Sequence, residues 1–218
     1  MNYAELTQAI HDYTENDEAT FVSQIPTFIR QAEQRIVRTI MVPELRKNVT
    51  GSVTSGSQYL ARPSDFLSVL SLAVVDDSGD YTYLLDKDVN FLREAYPSNA
   101  TTGLPKYYGN FDGDTYSGGV ETENGNFILA PTPDGNYVIE LHYYYDPPSI
   151  VTTGTSWFGE NADTALLYGA LVEAYTFMKG EPDLISQYTA RYKEALNEVS
   201  GLDIKLKMDN YRNGERHA

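Results

Sequence analysis

The apolar positions along this chain change period twice, from helical to alternating and back to helical. Tyr3, Leu6, Ile10 and Tyr13 recur at three- and four-residue intervals, which predicts an amphipathic helix of about three turns. Asn2 with Glu5 three residues on has the form of an N-terminal cap and its reciprocal acid, and the polar run Thr14-Glu15-Asn16-Asp17 ends the segment. Phe21, Ile25, Phe28, Ile29, Ala32, Ile36 and Ile40 then fall on one stripe, with Arg30, Arg35 and Arg38 off it. Pro26 lies inside this run, so the second helix is expected either to begin there or to kink there. Pro43 closes it.

From about Asn48 to Thr153 the period is that of strands. Val49, Gly51 and Val53 alternate with polar residues, Ser55-Gly56 signals a turn, and Gln58-Tyr59-Leu60 follows. Ser68 to Val75 is a β-rich run, closed by the turn Asp76-Asp77-Ser78-Gly79, with Tyr81-Thr82-Tyr83-Leu84-Leu85 as its expected partner. Asp86 or Asp88 can cap a short helix through Phe91, Leu92 and Tyr96, stopped by Pro97. Asn99 to Asn124 is rich in Gly, Ser, Thr and Asp and reads mostly as an exposed loop, with Lys106-Tyr107-Tyr108 as its one strand-like stretch. Asn126–Ala130 and Tyr137–Tyr145 flank Pro131-Thr132-Pro133-Asp134-Gly135, a turn sequence that predicts a hairpin between them.

Helical period returns after Trp157. Asn161 or Asp163 can cap a segment bearing Leu166, Leu167, Ala170, Leu171, Ala174, Phe177 and Met178. Lys179 complements that helix's C-terminal dipole, Gly180 ends it, and Pro182 opens the next, which carries Ile185, Tyr188, Tyr192, Ala195, Leu196 and Val199. Beyond Gly201, Leu202, Ile204, Leu206 and Met208 alternate with Asp203, Lys205 and Lys207. Read as a strand, this segment lacks a local partner and would seek a neighbouring chain's sheet edge. The alternatives are a continuing helix or a frayed tail. The pattern as a whole predicts an α+β fold. A bundle of N- and C-terminal helices (1–47 and 154–200) carries a central tyrosine-rich antiparallel β insert (48–153) and an extended C-terminal arm (201–218).

Composition narrows the chemistry. With 31 acidic against 16 basic residues the net charge is −15, which argues against tight nucleic-acid binding, since phosphate affinity comes chiefly from Lys and Arg. It suits a wall that must not hold DNA, and equally a surface kept soluble by charge. No cysteine is present, so disulfides, thiolate nucleophiles and cysteine-ligated metals are excluded together. His11, His142 and His217 stand far apart. There is no run long enough for a membrane helix and no basic-then-apolar leader, so a soluble, cytoplasmically made protein without membrane contact is expected.

Catalytic and cofactor motifs are equally scarce. No P-loop, dinucleotide fingerprint, Gly-x-Ser-x-Gly elbow or His-Glu-x-x-His helix occurs. Asp112-Gly113-Asp114 resembles the start of a calcium loop, but the later ligands are missing, and it reads as a polar turn. The acids are too numerous for any one pair to mark a glycosidase site. Tyr143-Tyr144-Tyr145 could stack on sugar, which makes a tyrosine-rich carbohydrate-binding module of a host-recognition structure the alternative reading. The simpler expectation packs alternate tyrosines in the β core with Tyr144 outward or in a subunit contact. His142 is expected to be a packing residue. No catalytic, metal-binding or cofactor-binding residue is assigned. Arg30, Arg35, Arg38 and Tyr144 are candidate subunit-interface residues. Leu202, Ile204, Leu206, Met208, Tyr211 and Arg212 are candidate contacts to a neighbour.

Five segments are familiar as an ordered set: Phe21 to Ile36 with its Gln24-Ile25-Pro26; Arg62-Pro63-Ser64-Asp65-Phe66-Leu67; Gly103-Leu104-Pro105-Lys106-Tyr107-Tyr108; Pro131 to Gly135 leading to Tyr143-Tyr144-Tyr145; and Leu166 through Glu173-Ala174-Tyr175 to Lys179-Gly180-Glu181. Together, from about residue 3 to 195, they resemble the head-to-tail adaptor (connector) proteins of short-tailed, podovirus-type bacteriophages. That resemblance implies a homo-oligomeric ring, expected to be dodecameric, that binds the portal protein above and a tail nozzle protein below, with tail fibres attached outside. It further implies a virion location in the neck of the tail, assembly in the host cytoplasm, and DNA passing through the lumen during ejection without specific binding. It carries over no catalytic residue. A portal-docking role for Leu202 to Arg212 is an extension of it. A ring repeats one heterologous interface, so each copy needs two different complementary faces.

Overall fold

The computed structural model describes residues 1–40, 43–76, 78–111, 115–117, 120–122 and 125–214. Along the chain come helices α1 (Tyr3–Thr14) and α2 (Ala19–Thr39), a 3-10 turn (Pro43–Leu45), and strands β1 (Arg46–Val53), β2 (Tyr59–Ala61), β3 (Phe66–Val75), β4 (Tyr81–Tyr83) and β5 (Leu85–Asp86). After α3 (Val89–Ala95) follow β6 (Tyr107–Phe111), β7 (Thr115–Ser117), β8 (Val120–Thr122), β9 (Asn126–Ala130) and β10 (Tyr137–Tyr145). The chain closes with α4 (Ile150–Thr153), α5 (Trp157–Asn161), α6 (Asp163–Phe177) and α7 (Pro182–Gly214). Two compact units result, a helical one from Met1–Glu44 with Pro147–Ala218, and a β one from Leu45–Asp146. The α+β fold expected from the two changes of period is the one observed.

In the helical unit, Asn2 and Glu5 make the reciprocal cap: each side chain accepts the other's backbone N–H at 2.9 Å. The second helix does not start at Pro26 but begins at Ala19 and runs through it. The apolar stripe of Phe21, Ile25, Phe28, Ile29 and Ile36 is buried along its whole length, and that packing outweighs the one backbone bond proline cannot donate. α6 carries buried residues around most of its circumference, as a largely enclosed helix does, and α1, α2, α5 and α7 all pack against it. At Gly169 the enclosure is tightest: a Cβ there would stand 3.0 Å from Ala32 Cβ and 3.1 Å from the Tyr192 ring.

Several sequence expectations shift here. Helix returns before Trp157, at α4, where Ser149 Oγ accepts the Val151 N–H at 3.2 Å. Neither Asn161 nor Asp163 is the N-cap of α6; that position is Ala162, with no side-chain cap. Lys179, not Gly180, takes the left-handed backbone (φ 55°) after α6. Gly180 is needed for a different reason, because a Cβ would lie 2.8 Å from the Tyr175 ring. Residues 202–214 continue α7 rather than forming an extended strand. The alternation of Leu202, Ile204, Leu206 and Met208 loses to propagation: adding residues to an existing helix avoids the nucleation cost, and Leu, Lys and Met are good helix formers.

The β unit holds two four-stranded sheets, ordered β1-β10-β3-β4 and β2-β9-β6-β5, and the pair β7-β8. All pairs are antiparallel except β5 with β6. The expected hairpin of Asn126–Ala130 with Tyr137–Tyr145 does not form. β9 lies between β2 and β6, whereas β10 lies between β1 and β3, so the Pro131–Gly135 link carries the chain from one sheet to the other. The two sheets share one core: Val53, Leu72, Val74, Ile139, Leu141 and Tyr143 from the first meet Tyr108, Phe127 and Leu129 from the second, with Leu84 from the link between β4 and β5. Leu92 of α3 covers the back of β9 at Ile128 and Ala130. β9 is therefore buried at all five positions, and it reads as a continuous apolar run for that reason. Asp88, not Asp86, caps α3 by accepting the Asn90 N–H at 2.8 Å. The loop expected over 99–124 contains the β7-β8 pair, whose intervening Gly118-Gly119 is a hairpin-type dipeptide in the sequence. Asp112-Gly113-Asp114 lies outside the described residues.

Candidate contact surfaces

α2 places Arg30 and Arg38 on the side away from its buried stripe and Arg35 at the stripe's flank, and all three are exposed. Its one acid, Glu33, sits on the buried stripe instead, 5% exposed. Glu33 Oε1 accepts the Ile150 backbone N–H at 2.8 Å, and its Oε2 accepts the Ser149 hydroxyl at 2.5 Å. The carboxylate thus pins the segment entering α4 onto α2. The signal for it was available, since position 33 falls with Ile29, Ala32 and Ile36 on the apolar face.

The candidate interface residues divide into engaged and free. Arg35 is paired with Glu173 of α6 and lies over the Tyr192 ring, 5.9 Å from its centroid. Tyr144 is half-buried, and its hydroxyl accepts from Arg46 Nη2 at 2.9 Å and Nε at 3.2 Å. Both are committed within the chain. Among the described residues no ion pair reaches Arg30 or Arg38. Leu202, Ile204, Leu206, Met208, Tyr211 and Arg212 fall on the helical backbone of α7.

The strand tyrosines behave as packing residues. Tyr143 is buried, stacks on Phe66 at 5.9 Å, and donates to Asp65 Oδ1 at 2.8 Å. Burial, reinforced by that carboxylate, pushes its phenol up to about 12. Tyr145 packs against the same core, with Lys47 Nζ 3.9 Å from its ring centroid. Lys47 also meets Asp65 Oδ2 at 2.5 Å. Burial alone would raise Asp65, but the bonds from Lys47 and Tyr143 prevail and hold its carboxyl below the ordinary range. Asp146 is pushed up, by burial first and then by the charge on Asp65. These two carboxyls diverge as an acid–base pair would, yet neither borders the groove at α6 and α7 or the two smaller clefts of the β unit.

Two features of the helical unit were not anticipated. Tyr13, Tyr168, Tyr175 and Tyr188 converge from α1, α6 and α7, each ring 5.1–6.4 Å from Tyr188's, and the Tyr175 hydroxyl donates to the Tyr13 carbonyl at 2.9 Å. Tyr168 and Tyr175 are seven residues apart, a spacing that puts them on one helix face. The second feature is an open groove of about 960 Å³ between the start of α6 and the α7 stretch Ala190 to Val199. Asp163, Glu194 and Glu198 border it, with Lys193. Among the described residues no cluster of His, Asp or Glu could hold a metal ion, and no helix is long and apolar enough to cross a membrane.

The exposed arginines of α2 and the open α6–α7 groove are surfaces of the kind that contact other molecules. The chain belongs to the SU10 adaptor protein family, whose model matches residues 1–216. It is accordingly a bacteriophage head–tail adaptor and a component of the virion. No curated protein matches it.

Proposed function

We propose that copies of this chain form a ring between the portal protein and the tail nozzle protein, giving DNA a passage and tail components, fibres among them, a place to attach. The adaptor-family match over residues 1–216 carries this reading. A dodecamer is the expected stoichiometry, assembled in the host cytoplasm, with no reaction catalysed. The net charge of −15 suits a passage that does not retain phosphate. The C-terminal part of α7, with Leu202 to Arg212, is the proposed portal or neighbour contact. The sugar-binding alternative loses support from the strand tyrosines, since Tyr143 and Tyr145 belong to the core and Tyr144 is held by Arg46.

Native mass spectrometry and particle imaging of the protein, alone and with its phage's portal ring, test the reading. Closed rings or portal-bound copies are the expected result. A chain that stays monomeric and ignores the portal overturns it.

A further inference from the structure

α2 is an anomaly of charge. In a chain with nearly twice as many acids as bases, its 21 residues expose three arginines and no acid, because Glu33 is turned inward. Arg30 and Arg38 stand two turns apart on one face, about 12 Å along the axis, with Gln34 exposed between them. On a different face of the same helical unit, the groove between α6 and α7 presents Asp163, Glu194 and Glu198 against the single Lys193. No residue of α2 borders that groove. Among the described residues none of these three acids, nor Arg30 or Arg38, is in an ion pair.

We infer that the α2 face of one copy docks into the α6–α7 groove of the next, Arg30 and Arg38 meeting Asp163, Glu194 and Glu198. The inference rests on the ring reading above and names its interface. A closed ring needs one patch to recognise a different patch, not itself, and these two faces differ in both shape and sign. The basic face repels its own copy, as does the acidic groove, so the charges reject a two-fold dimer while favouring the head-to-tail contact. Small side chains in the groove, Ala165 and Ala190 among them, let a helix approach closely. Arg35 stays with Glu173 and holds the α2 face in place on α6.

The test uses three full-length charge variants with the phage's portal ring, read by native mass spectrometry. Arg30→Glu/Arg38→Glu and Glu194→Arg/Glu198→Arg should each keep the wild-type circular dichroism and melting curve yet lose ring occupancy at least tenfold. Combining all four changes in one chain should restore it, because every contact in the ring then has both signs exchanged. Rings formed by either double variant at the wild-type level would overturn this docking while leaving the ring reading intact. Loss in both doubles without recovery in the quadruple variant would also overturn it. A wild-type chain that forms no ring overturns the ring reading, and the docking with it.

Discussion

Glu33→Ala removes the carboxylate that joins α2 to the start of α4. The side chain is 5% exposed, and its two oxygens accept from the Ile150 N–H and the Ser149 hydroxyl. The Ile150 N–H is itself buried, so truncation leaves a donor with neither this acceptor nor ready access to water. An orphaned buried donor costs about 1–3 kcal/mol, and loss of a hydroxyl bond to a charged acceptor adds about 1 kcal/mol, since the hydroxyl can turn elsewhere. The helical unit should therefore lose about 2–4 kcal/mol. Glu33→Gln retains the volume and one acceptor oxygen and should cost roughly half as much. Exposed Gln34→Ala next to it should stay within about 0.5 kcal/mol of wild type. Urea unfolding followed by far-ultraviolet circular dichroism measures all three, with the midpoint moving and the slope unchanged. If Glu33→Ala shifted stability no more than Gln34→Ala does, the carboxylate would not be holding α4. If glutamine cost as much as alanine, acceptor count would not be the cause.

Three further outcomes follow from the β unit. Gly109→Ala should destabilise it by about 2 kcal/mol or more, because the new Cβ would meet the Lys87 carbonyl at 2.8 Å and Leu92 at 2.9 Å; amide hydrogen exchange over β6 and β9 reports the loss. Asp65 has a folded pKa below its unfolded value, so the stability it gives is present above the ordinary carboxylate range, near pH 4, and lost as pH falls through the lower folded value. Asp146 is raised, so its ionised form opposes folding at neutral pH, and Asp146→Asn should be neutral or stabilising there, whereas Asp65→Asn should destabilise and flatten the acid limb of a pH-dependent melting series. In a spectrophotometric tyrosine titration, Tyr108 and Tyr143 should ionise late, at about 12, and Tyr143→Phe should remove one of these late transitions.

What the sequence made legible was period and punctuation. The Asn2–Glu5 cap, the α2 stripe, an aspartate cap for α3 and the end of β3 at Val75 all follow from spacing of a few residues, and each is local. Strand partnership is not local. Pro131 to Gly135 specifies a reversal, but a reversal can join neighbours in one sheet or cross between two, and burial on both faces of β9 decided for the second. The same limit explains α7: alternation at Leu202 to Met208 describes a strand only where a partner strand exists, and an uninterrupted helix from Pro182 needs none. Of the candidate contacts, Arg30, Arg35 and Arg38 were recognisable as lying off the apolar stripe. That Arg35 would be claimed by Glu173, some 138 residues away in sequence, was not.

The division between engaged and free arginines bears on why α6 is built as it is. A helix with buried residues on most of its sides offers little contact face of its own and is mainly surrounded. By taking the centre, α6 spends most of its surface on α1, α2, α5 and α7, keeps only its first turn open at the groove, and leaves their outer sides for other purposes. Gly169 sharpens the point, since Ala32 and Tyr192 approach α6 there from α2 and α7 so closely that any larger residue would push them apart. α2 and α7 are thus fixed at two sides of one rigid post, each with an outward face whose charge the core does not dictate. In a chain this acidic, a random draw of surface residues would make both faces negative. That every exposed charge of α2 is an arginine, with its one acid turned into the core, is the arrangement the proposed head-to-tail docking would use.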